Sequence, residues 1–161
     1  MSLETQLATI KQQETELALD HFDENIALEI GLAIVAKAQG RGQSILVNVS
    51  KGLHTIFQFS MPGTSGANED FALRKRAVTN LMQFSSIVFM LHKQNGFDYL
   101  AHMGGNPREF GAHGGAFPLT VKGAGAIGSI VVSGLADDAD HNLIVEVLNE
   151  MLGRNAPLLE V

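Results

Sequence analysis

At 161 residues the chain fits one domain able to bury roughly 70% of its unfolded surface, and it contains no cysteine. Disulfides, thiolate metal sites and a cysteine nucleophile are thereby excluded. The net charge of −6 argues against general nucleic-acid binding, and no run approaches the roughly 18 apolar residues of a membrane span. With neither the basic nor the apolar region of a secretory signal at its N-terminus, the chain is expected to be soluble and cytoplasmic.

In chain order, residues 2–17 predict a short helix with a polar majority. A second helix is expected from about Asp23 to Gln39, where Ile26, Ile30, Ala33 and Ile34 form a stripe that Leu28, Leu32 and Val35 widen. A helix this apolar is expected to be covered on more than one side, including by another subunit. Ile45–Ser50 and Leu53–Met61 predict two strands joined by a tight turn at Lys51-Gly52. Alternation assigns Thr55, Phe57, Phe59 and Met61 to one face of the second strand, and His54, Ile56, Gln58 and Ser60 to the other. Pro62–Asn68 has loop composition. A helix follows from about Glu69 to Phe84, continuing after a break through Ser86–Lys93. Asp98–His102 is expected as a short strand and Gly104–Gly111 as a loop. Ala116–Val121 and Ala126–Ser133 form a second hairpin, and Asp137 or Asp138 caps a last helix through about Leu152, with Ile144, Val147, Leu148 and Met151 inward. Two hairpins among helices define an α+β domain with an antiparallel sheet, not a doubly wound one.

The segment His113–His141 concentrates the candidate site residues. Its two strands meet at a glycine turn, and each carries glycines and a polar side chain at its outer end: His113-Gly114-Gly115-Ala116-Phe117 on one, Ser133-Gly134 on the other. Gly123-Ala-Gly125-Ala-Ile-Gly128 matches GxGxxG literally, but a strand rather than a helix follows it, so it reads as a hairpin turn and not a dinucleotide site. Ser133, Asp140 and His141 have the residue types of a hydrolase triad without a nucleophile elbow. His102, His113 and His141 lack the spacing of a metal motif, and no metal site is assigned.

Lys75 is the less obvious candidate. Phe71, Val78 and Met82 mark the inner stripe of its helix, and Lys75, four residues after Phe71, falls inside that stripe, with Arg74 flanking it and Arg76 pointing away. An ammonium there needs an anion, either a protein carboxylate or a ligand's carboxylate or phosphate. The charge distribution is compatible with the second: residues 41–135 carry four acids against eight bases, whereas the two ends carry thirteen acids against three bases.

Arg74-Lys75-Arg76, Ser85-Ser86, His113-Gly114-Gly115-Ala116-Phe117-Pro118-Leu119, Gly128, Val132-Ser133-Gly134-Leu135 and Asp140-His141 together resemble the UPF0303 proteins, a family related to the haem-binding and haem-degrading proteins of the HbpS/GlcG (DUF336-like) type. The resemblance implies a profilin-like domain with a central antiparallel sheet flanked by helices, assembly into dimers or larger rings, and an association with haem or another small ligand. It spans roughly residues 20–155. The expected organisation is one domain, 1–161, with 1–20 an N-terminal helical extension and 21–155 the HbpS/GlcG-type domain.

The function expected is that of an oligomeric small-ligand-binding protein taking haem or another anionic molecule. Its pocket is expected from Lys75, Arg74, His113, Gly114, Gly115, Phe117, Ser133, Gly134 and His141. The alternatives are an enzyme using His113, His141 and Lys75 as acid, base and anion clamp, and a ligand-free oligomeric scaffold.

Overall fold

The structure is a computed structural model describing residues 1–161. Six helices and four strands follow in the order α1 (Leu3–Glu16), α2 (Glu24–Gly40), β1 (Leu46–Lys51), β2 (His54–Ser60), α3 (Gly66–Met82), α4 (Ile87–Gln94), α5 (Tyr99–His102), β3 (Ala116–Val121), β4 (Gly125–Ser133) and α6 (Asp137–Leu152). The strands form one antiparallel sheet in the order β2-β1-β4-β3. This is the expected α+β class.

Side-chain alternation divides the sheet into two unlike faces. Val47 and Val49 of β1, Phe117 and Leu119 of β3, and Ile130 and Val132 of β4 pack with Ile30 and Ile34 of α2 and Leu143, Ile144 and Val147 of α6 in the main core. The opposite face, under α3, is small and polar. Leu46, Ala72, Ala116 and Val131 make a four-residue cluster there, flanked by buried Asn48, Ser50, Ser129 and Ser133.

Several boundaries differ from expectation for local reasons. α3 starts at Gly66 because Ser65 and Asn68 form a reciprocal capping box. Tyr99–His102 is a helical turn and not a strand, since the Asp98 carboxylate accepts from the Ala101 N–H and nucleates it. Asp137 and Asp138 lie inside α6, whose cap residue is Ala136, so neither acid caps it. Met151 is 37% exposed and does not face the core.

In β2 the alternation is broken. Val49 pairs with Phe57 but Ser50 with Thr55, which leaves Ile56 as an extra residue. Thr55 thereby joins Asn48, Ser50 and Gln58 instead of Phe57 and Phe59. Nor does Arg76 point away: its Nη1 donates to Ser50 Oγ and Thr55 Oγ1, both at 3.2 Å. Ser50 then donates to Asn48 Oδ1, Asn48 Nδ2 to Gln58 Oε1 at 2.8 Å, and Gln58 Nε2 to Glu69 Oε1 at 3.0 Å. Every donor in this relay points from the guanidinium toward the carboxylate.

The N-terminal helix is built into the domain. Glu14 accepts from the backbone N–H and the hydroxyl of Ser85, at 2.6 and 2.8 Å, and burial raises its pKa despite those donors. The outer edge of β3 is covered by Leu19 and Ser86. The outer edge of β2 pairs with no strand, and beside it Leu28, Leu32 and Phe59 are exposed. Within the chain nothing covers the second face expected for α2. No helix is long and apolar enough to cross a membrane.

Candidate functional site

Lys75 lies, as its periodicity requires, on the buried side of α3, together with Ala72, Val78 and Thr79. It is 3% exposed. Its anion is Asp140 of α6, 1% exposed, with Lys75 Nζ 2.8 Å from Asp140 Oδ2; the ammonium also donates to the Val132 carbonyl at 3.0 Å. Of the two kinds of anion the sequence leaves open for Lys75, the ammonium therefore meets the protein's own carboxylate. Asp140 further accepts from the N–H groups of Leu135, at 2.9 Å, and Gly134, at 3.4 Å. Burial pushes its carboxyl up to about 6, although Lys75 and these donors pull the other way.

This pair joins helices on opposite sides of the sheet, and Gly115 makes the passage. A Cβ at Gly115 would stand 2.8 Å from both Lys75 Nζ and Asp140 Cβ and would collide with the Val132 carbonyl, and its φ of +114° is one that other residues rarely adopt. Gly115 is thus occupied by the protein's own ion pair. Gly114 is pressed against the backbone of Asp137 in the same way.

Above the pair opens a recess of about 260 Å³. Lys75, Asp140 and Ser133 form its floor, Asn68 and Gly134 its sides, and Phe71, His113 and Asp137 its mouth. Phe71, expected inward, is 37% exposed here. The His113 ring meets Phe71 edge-on, with centroids 5.0 Å apart, and its Nδ1 lies 3.7 Å from Asp137 Oδ1. Of the three protons on Lys75 Nζ, two are engaged. The Asn68 Oδ1 caps α3, which leaves its amide N–H₂ free.

Of the expected site residues, Lys75, His113, Ser133 and Gly134 come together at the recess. Arg74 does not: it binds Asp70 at 2.9 Å and lies over the Phe71 ring at 4.5 Å. Phe117 and His141 are 1% and 0% exposed and face each other under α1, inside the core, where no ligand reaches them. His102 is exposed on α5, His113 stands at the recess and His141 lies in the core, so the three histidines do not converge, and Ser133 and His141 are likewise too separated to form a triad. Asp140, Asn68, Phe71 and Asp137 were missed. Asp140 was within reach of the sequence: it sits four residues before Ile144 and seven before Val147, on the inward stripe of its helix, where an acid must find a cation.

His141 has a determined tautomer. Gln13 Nε2 donates to the Pro157 carbonyl at 2.7 Å, so Gln13 Oε1, 2.7 Å from His141 Nε2, is an acceptor and Nε2 carries the proton. Nδ1 is buried without a partner. Burial alone holds the imidazole pKa down at about 4, and the ring is neutral.

The fold is thus α+β, with a recess whose floor is the Lys75–Asp140 ion pair. A family model described as "Haem degrading protein HbpS-like" matches residues 22–149, and the chain belongs to that family. It is similar to a UPF0303 protein of Serratia proteamaculans (strain 568), with 37% identity over 158 residues, 98% of each chain. A UPF0303 protein of Yersinia pseudotuberculosis serotype O:3 (strain YPIII) is 36% identical over 156 residues, covering 95% of this chain and 90% of the relative. Among solved structures, that of the Ybr137w protein superposes with a TM-score of 0.79 at 21% identity, covering 94% of this chain and 90% of that one. A PduOC:heme complex gives 0.66 at 18% identity, covering 86% and 99%, and HbpS 0.62 at 23%, covering 83% and 92%. At these identities the structural likenesses establish the shared fold.

Proposed function

We propose that the protein binds a small polar molecule in the recess above the Lys75–Asp140 pair, and that it does so as an oligomer. The observation carrying the first part is the convergence of three unspent donors, the third Lys75 proton, the Asn68 amide and the Ser133 hydroxyl, on one cavity. Donors of this kind suit an acceptor such as a carboxylate. Because Asp140 cancels the ammonium charge, recognition rests on hydrogen bonding more than on net charge. The Phe71 and His113 rings at the mouth suit a planar body.

Haem is the second reading, supported by the family description, by the haem complex among the fold relatives and by the His113 Nε2 at the rim. A porphyrin is larger than the recess. It would lie across the mouth, with His113 as the residue able to reach its iron.

Two titrations separate the readings. A panel of small carboxylic acids, from acetate to benzoate, is scored by saturable rise in Tm against the wild type, Asn68→Ala and Ser133→Ala. Haem is titrated by its Soret band against the wild type and His113→Ala. A carboxylate response lost in the first two variants supports the small-ligand reading. A stoichiometric Soret change lost with His113 moves the assignment to haem. Silence in both assays refutes ligand binding and leaves a scaffold.

Assembly is supported by the unpaired β2 edge beside an apolar groove of about 440 Å³ lined by Leu32, Val35, Phe57 and Phe59. A second copy placed edge to edge would pair β2 with β2 and cover these side chains. Native mass spectrometry tests this: Leu32→Glu with Phe59→Lys is expected to yield monomers, and an unchanged oligomer would refute the face.

A further inference from the structure

Residues 156–160 lie across α1 and α6, held by amide side chains of both helices. Asn149 of α6 accepts from the Ala156 N–H at 2.9 Å and donates to the Ala156 carbonyl at 3.0 Å. Asn142 does the same to Leu159, at 2.9 Å in both directions. Gln13 and Gln6 of α1, both buried, donate to the carbonyls of Pro157 and Glu160 at 2.7 and 3.0 Å. Four amide side chains thus bind the tail through its main-chain atoms alone. The spacing is matched: seven helical residues advance about 10.5 Å, and three extended residues, Ala156 to Leu159, about 10 Å.

Only two tail side chains are buried, Ala156 at 4% and Leu159 at 3% exposure, whereas Leu158 and Val161 are 42% and 59% exposed. Leu159 fills a socket of Ile10, Ile87, Met90 and Leu91. Recognition of this kind specifies an extended segment with a small residue and, three positions later, a leucine. It does not specify which chain supplies that segment. The tail leaves α6 through Gly153, in the left-handed conformation, and exposed Arg154 and Asn155.

We propose that the α1–α6 groove is a peptide-docking site and that, besides the chain's own tail, it takes the C-terminal tail of a second copy. The seated segment shows what the groove accepts, and every copy carries that segment. The groove lies beside β3, at the opposite end of the sheet from the β2 edge. Exchange there therefore links copies through a surface separate from the β2 face, and it rests on neither the recess nor that face. The attached tail competes at an effective concentration in the millimolar range, so a tail in trans wins only where the local one is weakened or copies are held together.

The probe is a fluorescein-labelled peptide of residues 154–161, read by anisotropy against the full-length protein and its full-length Leu159→Ala variant. Expected is weak saturable binding to the wild type and at least tenfold tighter binding to Leu159→Ala, whose own tail has lost its anchor while the socket is intact. The peptide carrying Leu159→Ala is expected not to bind either protein. Retention of the far-ultraviolet spectrum by Leu159→Ala shows that its groove is folded. Absence of binding to both proteins, or binding indifferent to the peptide's leucine, overturns the proposal. An unrelated Ala-x-x-Leu peptide binding tighter than the tail overturns its occupant, assigning the groove to another protein.

Discussion

Acidification should destabilise this protein through one histidine. His141 is fully buried and neutral, with its Nε2 proton donated to Gln13 and no acceptor facing Nδ1. Burial depresses its pKa from 6.5 to about 4. A depressed folded-state pKa gives stability that is present above the unfolded value of 6.5 and lost as pH falls through 4. Taking 1.36 kcal/mol per unit, the whole loss is about 3 kcal/mol, and the share lost between pH 8 and pH 5 is about 2 kcal/mol. Asp140 and Glu14, whose pKa values are raised by burial, act in the opposite direction: their stabilisation grows on acidification. They are present in both proteins of a comparison with His141→Gln, whose amide keeps a donor for Gln13, and cancel in the difference. Urea unfolding of the wild type and His141→Gln at pH 8.0, 6.5 and 5.0 gives that difference directly. The wild type is expected to lose about 2 kcal/mol relative to the variant between pH 8 and pH 5. Parallel curves would refute the assignment of a buried neutral imidazole.

Lys75→Met strands a buried carboxylate and should cost about 3–5 kcal/mol in urea unfolding near pH 8, with the double variant Lys75→Met/Asp140→Asn regaining most of it; equal stability of the single variant and the wild type would contradict the pairing. Gly115→Ala should cost more than about 2 kcal/mol, because it adds a strained φ to a collision with the ion pair, and thermal unfolding checks this. His113→Ala, at the rim, should leave stability within about 0.5 kcal/mol, so any ligand effect of that variant reports on binding.

Much of the fold was legible because periodicity reports burial. The two hairpins and the inward position of Lys75 follow from spacings of two and of three to four residues. Asp98–His102 was not legible, since five residues fit a strand and a capped turn equally well until the Asp98 bond to Ala101 decides. The bulge at Ile56 was invisible because it depends on the partner strand's register. Glycines at 114 and 115 signalled close approach correctly, but sequence does not say whether a ligand or the protein itself does the approaching. His141 shows the same limit. Its place beside Asp140 suggested a site, yet adjacent residues of a helix diverge by about 100°, and one reaches Lys75 while the other reaches Gln13.

The relay from Arg76 through Ser50, Asn48 and Gln58 to Glu69 fixes the sense of two amides and a hydroxyl at once. No single link can be inverted without opposing its neighbours, so the five side chains behave as one mutational unit. Replacing the charge at either end should reorient the amides of Asn48 on β1 and Gln58 on β2, and paired substitutions within the relay should fall well short of the sum of their separate effects.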